Sequence, residues 1–373
     1  MKRVLVISCI IGVCFAVGYG IGLGLGHVIK GLSVDFSVNA LEMVGILLWV
    51  FLAVISAFVV HTLLHELGHM LFGLLTGYGF IYFRLFNILL QREDDGFHWK
   101  RFHVRGTIGQ CLMTPPSREW VPFFWYNAGG VLMNVSVVGL CICALCLCPL
   151  SMWTALLYGT LLLTGLWLAL LNGIPMVVGG TPNDGKNIVT LWRHPEQRCY
   201  FGAMLSVVGE QSRGRRLKEM PQEWFRSEPV TSESSVIQLS ARNLYYCLLM
   251  DEMRLDEARE IAEEIVAIGD KLPMLFRLEV ETDRLIQELA TLNRYEVVAR
   301  LWSDSLQRYI KTARKYAPLK CAALFAYEYI NNQNPEAASP YYEEVKARQN
   351  NYAQPGEAYT ALAVMDYIRE KKP

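Results

Sequence analysis

The apolar residues of this chain are concentrated in long runs, and that distribution limits what the chain can fold into. Of its 373 residues, 53% are hydrophobic and only 19% are charged. Nearly all of the long apolar runs fall within residues 1–172, whereas residues 183–373 have the mixed composition of a soluble region. A run of about 20 apolar residues can cross a bilayer as a helix. The sequence therefore predicts a mainly α chain with a membrane-embedded first half.

Four segments have the length and low polarity of transmembrane helices. The first follows a basic Met1-Lys2-Arg3 start, and it is too long and lacks a small-residue cleavage site for a signal peptide, which is the competing interpretation. The second is too long for one perpendicular span, so either its first part lies at the interface or the helix tilts. The four predicted segments cover approximately Val4–Val28, Leu41–Leu75, Trp125–Leu147 and Met152–Leu171.

Basic residues flanking these segments predict their orientation. They occur at the N-terminus, in the connection 79–121 and after the fourth segment, whereas the other two connections contain only Lys30. The positive-inside rule then places both termini in the cytoplasm of a multi-pass protein of a cell membrane. The compact four-span arrangement favours a bacterial membrane. The basic residues are Lys2, Arg3, Arg84, Arg92, Lys100, Arg101, Arg105, Arg118, Lys186, Arg193 and Arg198.

An HExxH motif, His65-Glu66-Leu67-Gly68-His69, lies inside the second apolar segment. On a helix, His65 and His69 are one turn apart on one face, so both imidazoles can reach one Zn²⁺. Glu66 then lies beside the metal, where it can act as a general base. An acidic side chain in the middle of a membrane costs roughly 2.5–3.5 kcal/mol on insertion scales, so its default interpretation is functional.

A catalytic zinc site needs a third protein ligand, and Asp184 is the predicted one. It is the only carboxylate in the Gly- and Pro-rich stretch 172–185 that follows the fourth segment. Irregular backbone at membrane depth is tolerated where it lines a cavity. The alternative for Asp184 is a helix N-cap for the stretch that starts at Lys186. The alternative third ligand is His61, four residues before His65, which otherwise packs or supports the other histidines.

Two further features concern the surroundings of this motif. Asn134 is a polar residue within the third segment, where it binds a substrate backbone or hydrogen-bonds between helices. Residues 80–86 and 97–104 are aromatic and β-branched, and 93–96 separates them as a turn. This pattern predicts a short β-hairpin that dips toward the membrane near the metal site. An interfacial amphipathic loop is the alternative.

The domain boundaries are predicted as a membrane-embedded domain at 1–207, a linker at 208–235 and a cytoplasmic all-α domain at 236–373. In the last, similar segments start at Arg254, Arg294 and Asn334, a period of 40 residues, and each is followed by helical spacing of apolar residues. This favours tetratricopeptide-like repeats or, equally, an irregular helical bundle. The region either binds a cytoplasmic protein partner or folds beneath the membrane domain. A net charge of zero argues against nucleic acid as a partner.

Residues 40–190 resemble the site-2 protease family of intramembrane zinc metalloproteases. The matching elements are the HExxH motif at 65–69, Ala128-Gly129-Gly130 with Asn134, and Asn172…Pro175…Asp184-Gly185. The resemblance implies that zinc is held by His65, His69 and Asp184. It also implies that Glu66 is the base, and that Asn172 positions substrate or stabilises the oxyanion, a role also considered for Asn134. The spacing from Asn172 to Asp184 is about four residues longer than the usual pattern, and Asn183 stands where the family has leucine.

The predicted function is hydrolysis of peptide bonds in membrane-spanning or membrane-associated peptides near the cytoplasmic face. Zn²⁺ is the expected cofactor, and an exposed edge of the 80–105 hairpin is expected to hold the substrate as an added strand. A non-enzymatic alternative is a membrane-anchored scaffold with an inactive or structural metal site, although a scaffold needs no base such as Glu66. A metal-ion transporter is the third possibility, disfavoured by the lack of a second cluster of membrane carboxylates.

Overall fold

The structure is a computed structural model that describes residues 40–93, 95–102, 107–117, 120–178, 181–291 and 294–371. The chain divides into two compact units, Met1–Ala53 and Val54–Pro373, and the described part of the first is the beginning of helix α1. The described α-helices are α1 (Ala40–Leu75), α2 (Phe123–Leu147), α3 (Met152–Gly173), α4 (Asp184–Arg193), α5 (Gln197–Ser212), α6 (Val236–Asp251), α7 (Leu255–Val266), α8 (Met274–Thr291), α9 (Tyr295–Leu301), α10 (Asp304–Ala313), α11 (Pro318–Ala326), α12 (Pro335–Arg348) and α13 (Pro355–Lys371). The strands are β1 (Gly79–Leu85), β2 (Ile88–Glu93), β3 (Gly96–Arg101), β4 (Gly109–Thr114), β5 (Val177–Val178) and β6 (Thr181–Pro182).

Three described helices, α1, α2 and α3, are long and apolar enough to cross a membrane. They agree with the second, third and fourth predicted segments to within two residues at each end. They expose large apolar side chains, including Leu74, Leu140 and Trp167, as helices in contact with lipid do. The first predicted segment, about Val4–Val28, lies outside the described residues.

The segment between α1 and α2 forms a four-stranded antiparallel sheet in the order β3-β2-β1-β4. The pairing predicted from the sequence was wrong, because β2 lies between the two predicted strands and pairs with both of them. Tyr82 of β1 lies opposite Gln91 of β2, and Gln91 lies opposite His98 of β3. A fourth strand, β4, pairs with the other side of β1. The sheet therefore has β3 and β4 as its edges.

The two faces of this sheet have different surroundings. Leu89 is fully buried in a cluster with Ile81, Tyr82 and Ala353, so this face packs against the C-terminal region. The opposite face of β2 and β3 exposes Ile88, Phe97 and Trp99. One face of the sheet is thus covered by the C-terminal region, and the other exposes large apolar side chains beside Arg92 and Arg101.

In the C-terminal region, from residue 236 onward, all the described regular elements are helices. Helices α7, α9 and α12 begin at Leu255, Tyr295 and Pro335, in each case one residue after the start predicted from the 40-residue period. Met253 and Gln333, 80 residues apart, both have a positive φ, of 58° and 52°. In two of these three helices, therefore, the residue two positions before the first helical residue has a positive φ.

Residues 213–235, the greater part of the segment predicted as a linker, are packed in the structure. Two short 3₁₀ turns, Leu217–Glu219 and Gln222–Phe225, lie within it. Leu217, Met220 and Phe225 are buried with Val207 and Leu248. This segment therefore joins α5 to α6 through a small apolar core.

The C-terminal region contains a polar group of three carboxyl side chains around one lysine. Lys320 is 2% exposed, and its Nζ lies 2.6 Å from Oε2 of Glu279. Burial raises the pKa of Asp283 to about 6 and that of Glu357 to about 7, although the charge of Lys320 opposes both shifts. One lysine therefore faces three acidic groups, and two of these keep their protons to a higher pH than an exposed carboxyl does.

We expect these carboxyls to make the chain less stable as the pH rises from 5 to 8. Above pH 5 the unfolded chain has released both protons while the folded chain still holds them, so stability is lost as the pH rises through 6 and 7. The loss is on the order of 2 kcal/mol for each carboxyl. Thermal unfolding of the full chain and of Glu357→Gln should show a shallower decline in the variant, and parallel declines would contradict the shift at Glu357.

Candidate metal centre

The two histidines of the HExxH motif lie on one face of α1, as helical spacing requires. Nε2 of His65 and Nε2 of His69 are 3.1 Å apart, and the two side chains are each 7% exposed. Their rings meet edge to face, with centroids 4.7 Å apart. Both imidazoles therefore present a nitrogen to the same point.

Asp184 is brought to that point by the start of helix α4, which follows the end of α3. Asn183 fixes this connection through four hydrogen bonds. Its Nδ2 donates to the carbonyls of Leu171 and Ile174, and its Oδ1 accepts from the backbone N–H groups of Met176 and Lys186. Asn183 is thus the N-cap of α4, and Asp184, which had been considered for that role, is free to point at the histidines.

The three donor atoms form a small triangle. Oδ2 of Asp184 is 3.1 Å from Nε2 of His65 and 3.4 Å from Nε2 of His69. Ligand atoms 2.0–2.1 Å from a tetrahedral zinc ion lie about 3.3 Å from each other, so the triangle has the right size. Oδ2 is buried and has no hydrogen-bond donor. Two imidazoles and a carboxylate are also ligands that zinc accepts, so the residues present fit the metal.

Hydrogen bonds behind the two rings hold them in place. Nδ1 of His69 donates to the carbonyl of Tyr126 over 2.7 Å, which leaves its Nε2 without a proton and able to bind metal. Nδ1 of His65 lies 3.2 Å from the carboxamide of Asn134. The same carboxamide lies 3.2 Å from Nδ1 of His61. Both supporting groups belong to α2.

Glu66 is held by the edge strand β4. The backbone N–H of Cys111 donates to Oε2 of Glu66 over 2.7 Å, and the Tyr126 hydroxyl donates to the Cys111 carbonyl over 2.9 Å. A Cβ atom at Gly109 would lie 2.6 Å from the Glu66 carboxylate, so only glycine allows the strand so close. Burial raises the pKa of the Cys111 thiol, so the thiol stays protonated at neutral pH.

Glycines also set the distance between α1 and α2. A Cβ at Gly68 would lie 2.3 Å from the carbonyl oxygen of Gly129, and one at Gly129 would lie 2.4 Å from that of Gly68. The two backbones therefore touch beside the motif, as small residues permit between membrane helices. This contact brings Tyr126 and Asn134 within reach of the histidines.

We expect Gly130→Ala to weaken zinc binding at least about 10-fold, because ligand orientation sets metal affinity. The new Cβ would lie 2.5 Å from Cε1 of His65 and would push the ring out of the triangle. Gly139→Ala on the same helix is the matched control, since nothing lies within 4 Å of a Cβ there. Zinc affinity, measured by competition with a chromophoric chelator, should fall in the first variant only. Equal affinities in both variants would contradict the packing described here.

The other predicted site residues lie outside the donor triangle. His61 is fully buried, and its Nε2 donates to the Leu161 carbonyl of α3 over 2.9 Å. Asn134 makes hydrogen bonds between helices, the second of the two roles considered for it. Nδ2 of Asn172 donates to the Leu168 carbonyl of its own helix, so the structure shows no contact between Asn172 and the triangle.

Several residues that shape the site were not predicted from the sequence. Tyr126 holds His69 and Cys111 holds Glu66 through backbone groups, which leave no signature in the residue type. Gly109 matters only because β4 passes close to Glu66. Asn183 alone had a readable signal, since asparagine three residues before a helical N–H is a preferred cap.

No protein-family model, no curated protein and no solved structure matches this chain. An assignment of function therefore depends on the geometry of the site itself.

Proposed function

We propose that this chain is an intramembrane zinc metalloprotease of the site-2 protease kind. The observation that carries the proposal is the convergence of Nε2 of His65, Nε2 of His69 and Oδ2 of Asp184 beside the buried carboxylate of Glu66. A structural zinc site has four protein ligands, whereas three ligands leave a position open for water or substrate. A carboxylate next to an open site is the arrangement that hydrolysis requires.

Zinc, when bound by His65, His69 and Asp184, supplies a Lewis acid that acidifies water and polarises a carbonyl group. Glu66 is placed to take the proton from the attacking water and to return it to the amide nitrogen that leaves. The N–H of Cys111 anchors one oxygen of Glu66, so the carboxylate is oriented before substrate arrives. The low exposure of Glu66, 8%, limits access of bulk water to this proton transfer.

The free edge of β4 offers a place for the substrate backbone. Among the described strands β4 pairs with β1 alone, and its other edge passes Glu66, where the Cys111 N–H and carbonyl are bonded to Glu66 and Tyr126 and the neighbouring positions are left for a substrate. From the sequence we predicted that the substrate would bind to an edge within residues 80–105. The edge strand in that range is β3, which lies at the opposite side of the sheet from β4. An extended peptide added to β4 would bring its bonds to the site. Substrates N-methylated at the pairing positions should then be cleaved more slowly, and unchanged rates would contradict the added strand.

The apolar helices and the position of the site support membrane peptides as substrates. Six residues separate His69 from the end of α1 at Leu75, which is roughly 9 Å along the helix axis. With the orientation predicted by the basic residues, that end lies at the cytoplasmic face. The soluble helices would then also be cytoplasmic, where tetratricopeptide-like packing would suit a protein partner.

The test is metal-dependent cleavage by the purified full chain in lipid vesicles. Zinc content is measured by mass spectrometry, and a panel of transmembrane peptides is incubated with the protein, with water-soluble peptides as controls. We expect bound zinc, cleavage of membrane peptides only, loss of cleavage on chelation and recovery on adding zinc. Protein prepared without chelator that contains no zinc, or cleavage that survives removal of zinc, would contradict the proposal.

A further inference from the structure

We propose that Asn134 is a positioning residue that keeps the proton of His65 on Nδ1, so that Nε2 is free to bind metal. The inference rests on the proposed metal centre and deepens it, but it does not depend on the reaction catalysed there. It starts from His61, the buried histidine that takes no part in the donor triangle.

The carbonyl oxygen of Leu161 determines which nitrogen of His61 carries the proton. A carbonyl can only accept, and it lies 2.9 Å from Nε2 of His61, so Nε2 must be the donor. The neutral imidazole has a single N–H, so with Nε2 as the donor the other nitrogen has no proton. Nδ1 of His61 is therefore an acceptor. Gly165 makes the contact possible, because a Cβ there would lie 2.3 Å from Cε1 of His61.

An acceptor at Nδ1 of His61 requires a donor from Asn134. The carboxamide of Asn134 is 0% exposed and lies 3.2 Å from both His61 and His65, so its two ends serve the two rings. Amide oxygen and nitrogen are nearly the same size, and the hydrogen-bond network decides which way the group points. In the structure Oδ1 of Asn134 faces His61, and in that orientation Nδ1 of His61 would have to carry the proton. Nε2 of His61 would then be unprotonated, and its lone pair would face the lone pairs of the Leu161 carbonyl. The orientation with Nδ2 toward His61 gives every donor an acceptor.

The second orientation has a direct consequence for the metal ligand. Oδ1 of Asn134 then faces Nδ1 of His65, which must carry its proton in order to donate. Nε2 of His65 is left with a lone pair directed at His69 and Asp184. With the amide reversed, the proton of His65 would be on Nε2 and would block the site. The Leu161 carbonyl of α3 thus determines which nitrogen of His65 on α1 carries the proton. It does so through His61 and the Asn134 side chain of α2.

The proton of His69 is also held on Nδ1, but by one direct hydrogen bond. Its Nδ1 donates directly to the Tyr126 carbonyl. A backbone carbonyl cannot be reversed, whereas an amide can, so only His65 needs a third group to fix the direction. This explains why a third histidine is buried one turn before the motif.

The experiment compares zinc affinity in four forms of the full chain: wild type, Asn134→Leu, Asn134→Asp and Ser136→Ala. Leucine has a similar volume but cannot accept from His65, so affinity should fall 10–100-fold, the range typical of groups that orient a ligand. Aspartate keeps an oxygen toward His65 but offers no N–H to His61, so its affinity should fall less than that of Asn134→Leu, as carboxylates support zinc-bound histidines. Ser136, whose hydroxyl donates to its own helix at Leu132, is the control and should have no effect.

A second readout separates proton positioning from simple packing. Imidazole ¹⁵N chemical shifts of the metal-free chain, with His65 assigned by His65→Gln, should show its proton on Nδ1 in wild type and a mixture in Asn134→Leu. Unchanged zinc affinity in Asn134→Leu, an equal loss in Asn134→Asp, or a wild-type proton on Nε2 would each overturn the inference. A wild type that binds no zinc would instead contradict the metal centre itself, and the inference with it.

Discussion

Glu66→Gln should abolish cleavage and leave the bound zinc in place. Glutamine has the shape of glutamate and still offers an oxygen to the N–H of Cys111, so the side chain should keep its position. It cannot accept a proton, and loss of a general base lowers rates by about 10²–10⁴-fold. The measurement is the initial rate of peptide cleavage together with the zinc content of the same preparation.

Thr62→Val is the matched control for this variant. Thr62 lies one turn earlier on α1, and its hydroxyl donates only to the Phe58 carbonyl of the same helix. Both activity and zinc should survive its replacement. If Glu66→Gln cleaved as fast as Thr62→Val, Glu66 would not be the base. The scaffold alternative would gain support if the wild type also held zinc but cleaved none of the peptides.

Asp184→Ala should remove zinc from the protein, with a loss in affinity greater than about 100-fold. That figure is the upper end of what orienting groups contribute, and a ligand that touches the metal should exceed it. Helix α4 should persist, because its cap is Asn183 and not Asp184. The variant therefore tests the ligand without disturbing the fold, which far-ultraviolet circular dichroism can check.

Glu196→Ala provides the comparison for Asp184. Glu196 is an acidic residue twelve positions later, its side chain is 61% exposed, and it pairs with His194 at the surface. Its loss should not change zinc affinity. Full zinc retention in Asp184→Ala would exclude Asp184 as a ligand and would return His61 to consideration.

The parts of the fold that depend on local spacing could be predicted from the sequence. Helical periodicity alone places His65 and His69 on one face, and apolar length alone locates α1, α2 and α3. The soluble helices that start at Leu255, Tyr295 and Pro335 were also predictable, because their patterns repeat. Each of these features needs only neighbouring residues.

The features that depend on distant pairing could not be predicted in the same way. The strand β2, Ile88–Glu93, has a weak β signal, so the sheet was reduced to a hairpin. β4 also has a weak β signal in the sequence, yet its Cys111 N–H is the group that holds Glu66. Asp184 was predicted from its chemistry. Its position beside the histidines, however, depends on the hydrogen bonds of Asn183 and on the close contact of α3 and α4. At Gly185, a Cβ would lie 2.1 Å from the carbonyl oxygen of Gly173, and that contact has no local signature.

The sheet between α1 and α2 links the candidate metal centre to the C-terminal helices. Gln91 donates to the Ser212 carbonyl in a buried hydrogen bond, and Lys100 donates to the carbonyls of Asn350 and Tyr352. Removing the chain after a break within 213–235 would expose Leu89 and its neighbours. The destabilised sheet should then hold β4, and with it Glu66, less firmly. The part of the chain that carries the candidate metal centre is therefore not an independent folding unit. It and the C-terminal helices should unfold in one cooperative step.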